Sequence, residues 1–135
     1  MERLSDWEPR LVAYIASALS LPHAYGSHDC LLHCAAAVNA LTGKDLARGH
    51  RGKYRSAASA AVYLKSLGFD SPAAMIDSLL PEKSVSMAGR GDIVLDSDGI
   101  PGVVIGGDAL MVGMGEGAEG LVRVPRSDWA KAWAV

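Results

Sequence analysis

The hydrophobic pattern of this 135-residue chain changes its period near residue 81. Before that point, apolar residues recur three and four positions apart, and the alanines cluster there, mostly before residue 75. After it, apolar residues form short runs separated by turns, and the glycines cluster beyond residue 88. The first spacing places apolar side chains on one face of a helix, whereas short runs bounded by turn residues are typical of strands. The pattern therefore predicts an α+β fold in which N-terminal helices pack on a small C-terminal antiparallel sheet.

Four helices are predicted in the first part of the chain, over residues 5–21, 27–41, 56–67 and 71–80. Each segment has Ser or Asp near its start, and these residue types cap helix N-termini. The first helix is expected to begin with a capping box at Ser5. Glycine or proline follows each segment closely and predicts where the helix ends.

Four strands are predicted after residue 81, over residues 92–95, 103–105, 109–112 and 120–124. A Gly-Gly-Asp turn between the second and third strands is a strong hairpin signal. The last seven residues, 129–135, fit a short helix and an edge strand equally well. Because neither a repeat nor a linker interrupts the pattern, residues 1–135 are interpreted as a single domain.

Composition excludes several classes of protein. Half of the residues are apolar, which is enough to bury a core in a domain of this length. The net charge of −2 argues against a general nucleic-acid binder, and the longest apolar run has six residues (11–16), so no membrane span is predicted. No secretory signal is visible, and two cysteines four residues apart are not a disulfide framework. We therefore expect a soluble protein of a reducing compartment.

No cofactor is predicted. Residues 115–120 spell the glycine pattern of dinucleotide-binding loops, but a predicted strand follows where such a site needs a helix N-terminus. The turn at residues 96–99 contains only part of a calcium loop and lacks the glutamate at its twelfth position. We interpret it as a hairpin turn.

Residues 28–34, His-Asp-Cys-Leu-Leu-His-Cys, place four soft metal-ligating side chains, two histidines and two cysteines, at the start of the second helix. Zinc sites usually take ligands from two separated pairs, and no second pair follows, so no metal is predicted, although a metal-binding module stays one hypothesis. A nucleophile is the better interpretation of Cys30, because unpaired N–H groups and the positive dipole end of a helix stabilise a thiolate. Cys34, one turn further on, is expected to be a core residue.

Three motifs carry a likeness to a known family. Gly26-x-x-Asp29-Cys30 opens a helix, Gly-Arg-Gly-Asp-Ile-Val at 89–94 starts the sheet, and Gly-Val-Val-Ile-Gly follows at 102–106. In this order they resemble the NlpC-type cysteine peptidases, which are papain-like hydrolases that cut the peptide stems of bacterial cell walls. The likeness extends over roughly residues 24–135. The chain is also similar to a narrower group of small proteins encoded among phage tail genes, through segments 42–45, 51–54 and 132–135.

The resemblance implies that Cys30 is the nucleophile and that its base is a histidine on the next strand, near residues 101–103. No histidine follows His50 in this sequence, and Asp108 is the polar residue nearest to the family's third position. His28, two residues from Cys30, is one candidate replacement base. His50 is the other, because it lies in a basic, glycine-broken loop whose mobility could bring it over the thiol.

Without a base, Cys30 is not expected to hydrolyse amides. The first hypothesis is therefore a phage tail-tip or baseplate structural component with a degenerate, inactive peptidase-like fold, made in the bacterial cytoplasm and resident in the virion. The alternative is an active peptidoglycan hydrolase that uses Cys30. The expected partners are other tail or baseplate proteins, with peptidoglycan a further candidate, and not nucleic acid. The charges of the basic loop, residues 44–55, are expected either to keep the loop solvated or to meet an acidic partner surface.

Overall fold

The computed structural model describes residues 1–113 and 120–135, so the glycine motif at 115–120 lies, except for Gly120, outside the described residues. The first part of the chain forms four helices, α1 Trp7–Ala18, α2 Cys30–Thr42, α3 Ala57–Ser66 and α4 Pro72–Leu79. Each lies on one of the four predicted segments. Among the described helices, none is long and apolar enough to cross a membrane.

Within the described ranges, one antiparallel sheet contains six strands, β1 Glu82–Lys83, β2 Ile93–Asp96, β3 Pro101–Val104, β4 Asp108–Val112, β5 Leu121–Pro125 and β6 Trp129–Trp133. Their order across the sheet is β1-β6-β2-β3-β4-β5. Because the helices precede the sheet in the chain and pack on it, the predicted α+β arrangement is confirmed.

Local sequence explains where α2, α3 and α4 begin. The Asp29 carboxylate accepts a hydrogen bond from the Leu32 N–H, and Ser56 and Ser71 cap their helices in the same way. At its other end, α2 stops at Gly43, whose φ of +78° is a left-handed conformation that glycine adopts without strain.

The predicted capping box at the start of α1 is wrong. The helix begins at Trp7, and its N-cap residue, Asp6, makes no capping bond with its side chain. Asp6 instead accepts a 2.9 Å hydrogen bond from Arg10 Nε, one turn further along the helix. The carboxylate is therefore paired along the helix surface, and Ser5 stays exposed outside the helix.

The C-terminal segment, which the sequence left undecided, is a strand. β6 lies between β1 and β2, and Trp133 pairs with Glu82 on one side and Ile93 on the other. Its indole is fully buried, and the indole Nε1–H donates a 2.9 Å hydrogen bond to the Asp77 carboxylate of α4. Burial of this large side chain with its polar atom satisfied favours an interior strand.

Both faces of the sheet are covered. Ile93, Val103 and Trp133 face the helices and pack with Val38 and Leu41 of α2. The opposite face carries a second buried cluster, which consists of Ala88, from the segment before β2, and of the strand residues Val94, Val104, Ala109, Met111, Trp129 and Ala132. α2 packs across β3 and β4, so the sheet supports the helix that begins with Cys30.

Candidate functional site

Cys30 is the first residue of α2, and a tight turn holds the helix start in place. The buried Asp29 carboxylate accepts hydrogen bonds from the backbone N–H groups of Gly26 and Leu32, each at 3.0 Å. Gly26 has a φ of +84°, and a Cβ there would collide with the carbonyl oxygen of Tyr54. The Gly-x-x-Asp-Cys motif therefore forms a turn that requires glycine, and it sets Cys30 at the helix N-terminus.

The basic loop is fixed against this turn. The Tyr54 hydroxyl donates a 2.7 Å hydrogen bond to Oδ2 of Asp29, and the Tyr54 side chain is buried. The Gly52 N–H also donates a 2.8 Å hydrogen bond to the Gly26 carbonyl oxygen. These bonds join the end of the loop to the helix start.

His50 contacts Tyr63, and no hydrogen bond joins it to Cys30 among the described residues. Its Nδ1 is 2.6 Å from the Tyr63 hydroxyl, and the two rings pack edge to face with centroids 5.8 Å apart. His50 lines an apolar cavity together with Cys34, whereas Cys30 is not among the walls of that cavity. The structure therefore does not bring His50 to Cys30.

His28 packs on another histidine. Its ring lies edge-on to that of His33, with centroids 5.9 Å apart, and its Nε2 is buried without a hydrogen-bond partner among the described residues. Burial is the main reason that the pKa of His28 is lowered; Asp29 opposes this shift, and His23 adds to it. In the described part of the chain no hydrogen bond joins His28 to Cys30, so the geometry does not make His28 its base.

The thiol of Cys30 is not activated. Its pKa is raised to about 12, first by burial and then by the negative charges of Asp29 and Asp96. Hydrogen bonds from the backbone N–H groups of Cys30 and Leu31 act in the opposite direction. The raised pKa argues against a thiolate held by the helix N-terminus, because burial and two carboxylates act more strongly on the thiol than the two backbone N–H groups do.

Strand β3 has no room for the histidine that the resemblance implies. Gly102 occupies that position, and a Cβ there would overlap the Met111 side chain. The other residues of 101–103 are buried as well. Asp108, the residue nearest the third position, forms an ion pair with Arg123 at 3.4 Å. The family's base and its orienting partner therefore have no counterpart on these strands.

A comparison with protein families matches nearly the whole chain. A family model described as a domain of unknown function, DUF6950, covers residues 2–135. The chain belongs to the DUF6950 family. Comparison with curated proteins gave no match. The description of the DUF6950 family assigns no activity.

The DUF6950 chain buries a histidine to which sequence reasoning gave no role. His33 is fully buried, with Nε2 3.0 Å from the Leu110 carbonyl oxygen and Nδ1 2.6 Å from the Tyr14 hydroxyl. A carbonyl oxygen only accepts, so Nε2 carries the proton and Nδ1 accepts from Tyr14. Burial lowers the pKa of His33 to about 4, so the ring is neutral and joins α1, α2 and β4. The signal for its burial is that His33, Ala37 and Leu41 follow one another at intervals of four residues on one helix face, and all three are fully buried.

The possible metal ligands of residues 28–34 point into different surroundings. Both ring nitrogens of His33 are engaged, and Cys34 belongs to the hydrophobic core. Over residues 1–113 and 120–135, no group of three His, Cys, Asp or Glu side chains is placed to hold a metal ion. The arrangement serves the packing of α2.

Proposed function

We propose that this DUF6950 protein is a structural component of a phage tail tip or baseplate, with a degenerate cysteine-peptidase-like fold that has lost catalysis. Its site of synthesis is the bacterial cytoplasm, and its place of action is the virion. The observation that carries the proposal is the surroundings of Cys30, where two carboxylates act on the thiol and no imidazole bonds to it in the described chain. The order of the cysteine helix, the Arg-Gly-Asp strand and the following hairpin supports a peptidase-like ancestry.

The chemistry of amide hydrolysis argues against turnover at this thiol. A cysteine nucleophile needs a base to form the thiolate and an acid to protonate the leaving amine. With a pKa raised to about 12, the Cys30 thiol stays protonated at pH 7. Neither Asp29 nor Asp96 relieves this deficit, because an anionic neighbour raises a thiol pKa.

We assign partner binding to exposed cations of the basic loop. Arg48, Lys53 and Arg55 are exposed, and none pairs with a carboxylate in the described part of the chain. Arg51 differs, because two hydrogen bonds of 2.8 and 2.9 Å hold it to Asp45. Unpaired cations on a chain of net charge −2 suit an acidic protein surface better than nucleic acid.

Muropeptide release from purified peptidoglycan tests the loss of catalysis. We expect no release above buffer by the wild type, by Cys30→Ala, or by the matched control Cys34→Ala, which removes the core thiol. Release that disappears in Cys30→Ala and persists in Cys34→Ala would overturn the proposal. It would establish the active hydrolase instead, and His28 and His50 would be the next residues to replace.

One observation favours that alternative, the active peptidoglycan hydrolase. Cys30 is only partly buried by its neighbours, and backbone N–H groups at the start of α2 donate to its sulfur. A substrate that brought a cation near the thiol would lower its pKa. The release assay therefore uses intact peptidoglycan in addition to short peptides.

Mass spectrometry of purified phage particles tests the placement in the tail. In a lysate of a bacterial strain that carries the gene, we expect the chain to copurify with particles at a fixed ratio to other tail proteins. Charge reversal at Arg48, Lys53 and Arg55 together should lower that ratio, whereas Lys65→Glu, an exposed cation on α3, should leave it unchanged. Absence of the wild-type chain from intact particles would contradict the structural role.

A further inference from the structure

Two histidines in the segment between α1 and α2 each bury a ring nitrogen that has no hydrogen-bond partner. Among the buried side-chain nitrogen and oxygen atoms that the structure describes, only His23 Nε2 and His28 Nε2 are in this situation. A buried polar atom without a partner costs free energy, and native structures contain few of them. The two exceptions lie in one short segment, which points to a single local arrangement.

A tight turn connects the two histidines. The backbone N–H of His28 donates a 2.8 Å hydrogen bond to the Ala24 carbonyl oxygen, and the Ala24 N–H donates a 2.9 Å bond to the His28 carbonyl oxygen. In the middle of the turn, the Gly26 N–H donates to Asp29 Oδ2 at 3.0 Å, and the Gly26 carbonyl oxygen accepts the Gly52 N–H at 2.8 Å. The turn is therefore joined both to the start of α2 and to the basic loop.

The groups that face His28 provide no acceptor for its buried nitrogen. The His28 ring lies edge-on to His33 of α2, whose Nδ1 accepts from the Tyr14 hydroxyl of α1 and whose Nε2 donates to the Leu110 carbonyl oxygen of β4. The Asp29 carboxylate accepts three hydrogen bonds, and none of these three comes from His28. A second ring proton on His28 would therefore find no acceptor in place.

His23 is packed in a similar way, and it also acts on His28. Its ring lies edge-on to Tyr25, with centroids 4.5 Å apart. Burial is the main cause that lowers the pKa of His28; the Asp29 charge opposes this shift, and His23 adds to it. Protonation of one histidine therefore disfavours protonation of the other as long as the turn keeps its structure.

Protonation changes what the two rings require. A neutral imidazole has one donor and one acceptor nitrogen, whereas an imidazolium has two N–H donors. After a ring has taken a proton from solvent, its buried Nε2–H has no acceptor, so the charged ring is stabilised only when it reaches water. In water the histidine regains its usual pKa of about 6.5. Acid should therefore favour a form of the segment in which the rings are exposed.

We propose that the turn with His23 and His28 is an acid-sensitive switch, which opens to water when the two rings are protonated and uncovers Cys30 at the start of α2. Since the closed form lowers the pKa of His28, the open form gains population as the pH falls below about 6.5. The opening is local, because the core cluster that contains Cys34 includes no residue of the turn. The switch does not depend on whether Cys30 is catalytic.

The rate at which 4,4′-dithiodipyridine modifies each thiol tests the switch. The rates are measured with peptide mapping from about pH 7.5 to about pH 5 and divided by those of the urea-unfolded chain at the same pH. The relative rate of Cys30 should rise at least about threefold over this range. Low, non-denaturing urea should leave that rate nearly unchanged, because a local opening exposes little surface, and should accelerate Cys34. The same pH dependence and urea dependence for both thiols would show global unfolding and overturn the proposal.

Variants of single histidines identify the titrating group. His28→Phe keeps a ring against His33 but takes up no proton, so it should remove most of the acid-dependent rise in the relative rate of Cys30. His23→Phe should reduce the rise. The matched control His50→Phe removes a histidine outside the turn and should keep the rise of the wild type. An unaltered pH dependence in His28→Phe would overturn the proposal.

Hydrogen exchange in the wild type provides a test that needs no variant to fold. The amides of Ala24 and His28 are hydrogen-bonded to each other's carbonyl groups across the turn. Their protection factors should fall with the same pH midpoint as the NMR signal of the His28 ring, while amides in the middle of α2 stay protected. Protection of the turn amides that persists below this midpoint would contradict the switch.

Discussion

The Tyr54 hydroxyl donates a 2.7 Å hydrogen bond to Oδ2 of Asp29, a residue 25 positions earlier in the chain. The same carboxylate accepts the N–H groups of Gly26 and Leu32. Burial and the Asp29 charge both raise the pKa of Tyr54, so the phenol stays protonated as the donor. The Asp29 carboxylate therefore links three segments by hydrogen bonds: the basic loop, the turn before α2 and the start of α2.

Removal of this hydroxyl should destabilise the fold without changing its shape. Tyr54→Phe leaves the buried Asp29 carboxylate one donor short, and a bond to a charged group contributes about 2 kcal/mol. We expect the free energy of unfolding in urea to fall by about that amount. Tyr25→Phe is the control, since the Tyr25 hydroxyl bonds to no described residue, and equal losses in the two variants would contradict this role for Tyr54.

The two thiols should differ in reactivity, with Cys30 alkylated before Cys34. Burial is the main cause that raises both pKa values, but Cys34 is buried in the core, whereas Cys30 is partly exposed. Limited iodoacetamide treatment followed by peptide mapping measures the order. Both thiols should react far more slowly than in urea-unfolded chain. Faster labelling of Cys34 would show that the core opens more readily than the helix start.

Stability should fall with acidity over the range in which His33 titrates. Its pKa is lowered from 6.5 to about 4 in the folded chain, so the unfolded chain binds the extra proton between these values. The free energy of unfolding therefore decreases as pH drops from about 6.5 to about 4, by about 3 kcal/mol from this residue. Urea unfolding of wild type and His33→Gln across this range should give curves of different slope. If the free energy of unfolding changed with pH equally in the two proteins, His33 would not be the cause of the acid destabilisation.

Asp92 should be a critical residue for stability. It is buried, and its carboxylate pairs with Lys83 at 2.7 Å and with Arg3 at 3.3 Å. It also accepts a hydrogen bond from the N–H of Val135, so it holds both chain termini against β2. Asp92→Asn leaves two cations without their partner, which should cost about 3 kcal/mol in urea unfolding. Asp98→Asn, at an exposed turn, should cost almost nothing, and a comparable loss there would point to a general charge effect.

The sequence alone predicted the features that depend on near neighbours. Ser56 and Ser71 cap their helices, and Gly43 ends α2, because these contacts lie within a few residues of each other. The change of period near residue 81 predicted the order of helices and strands for the same reason. Even at short range one prediction was wrong, since Asp6 bonds to Arg10 instead of capping α1.

Only the tertiary structure decided the properties of the candidate site. The C-terminal segment forms an interior strand, β6, because Trp133 is buried and the strand pairs with β1 on one side and β2 on the other. The pKa of Cys30 was raised mainly by burial, which the residues around the helix start do not reveal, while Asp29, its neighbour in sequence, and to a smaller extent Asp96, 66 positions away, added to the shift. His50 is hydrogen-bonded to Tyr63, and the Met111 side chain occupies the space that a Cβ at position 102 would need. Burial and long-range charge depend on which distant segments pack together, and a local residue pattern does not contain that information.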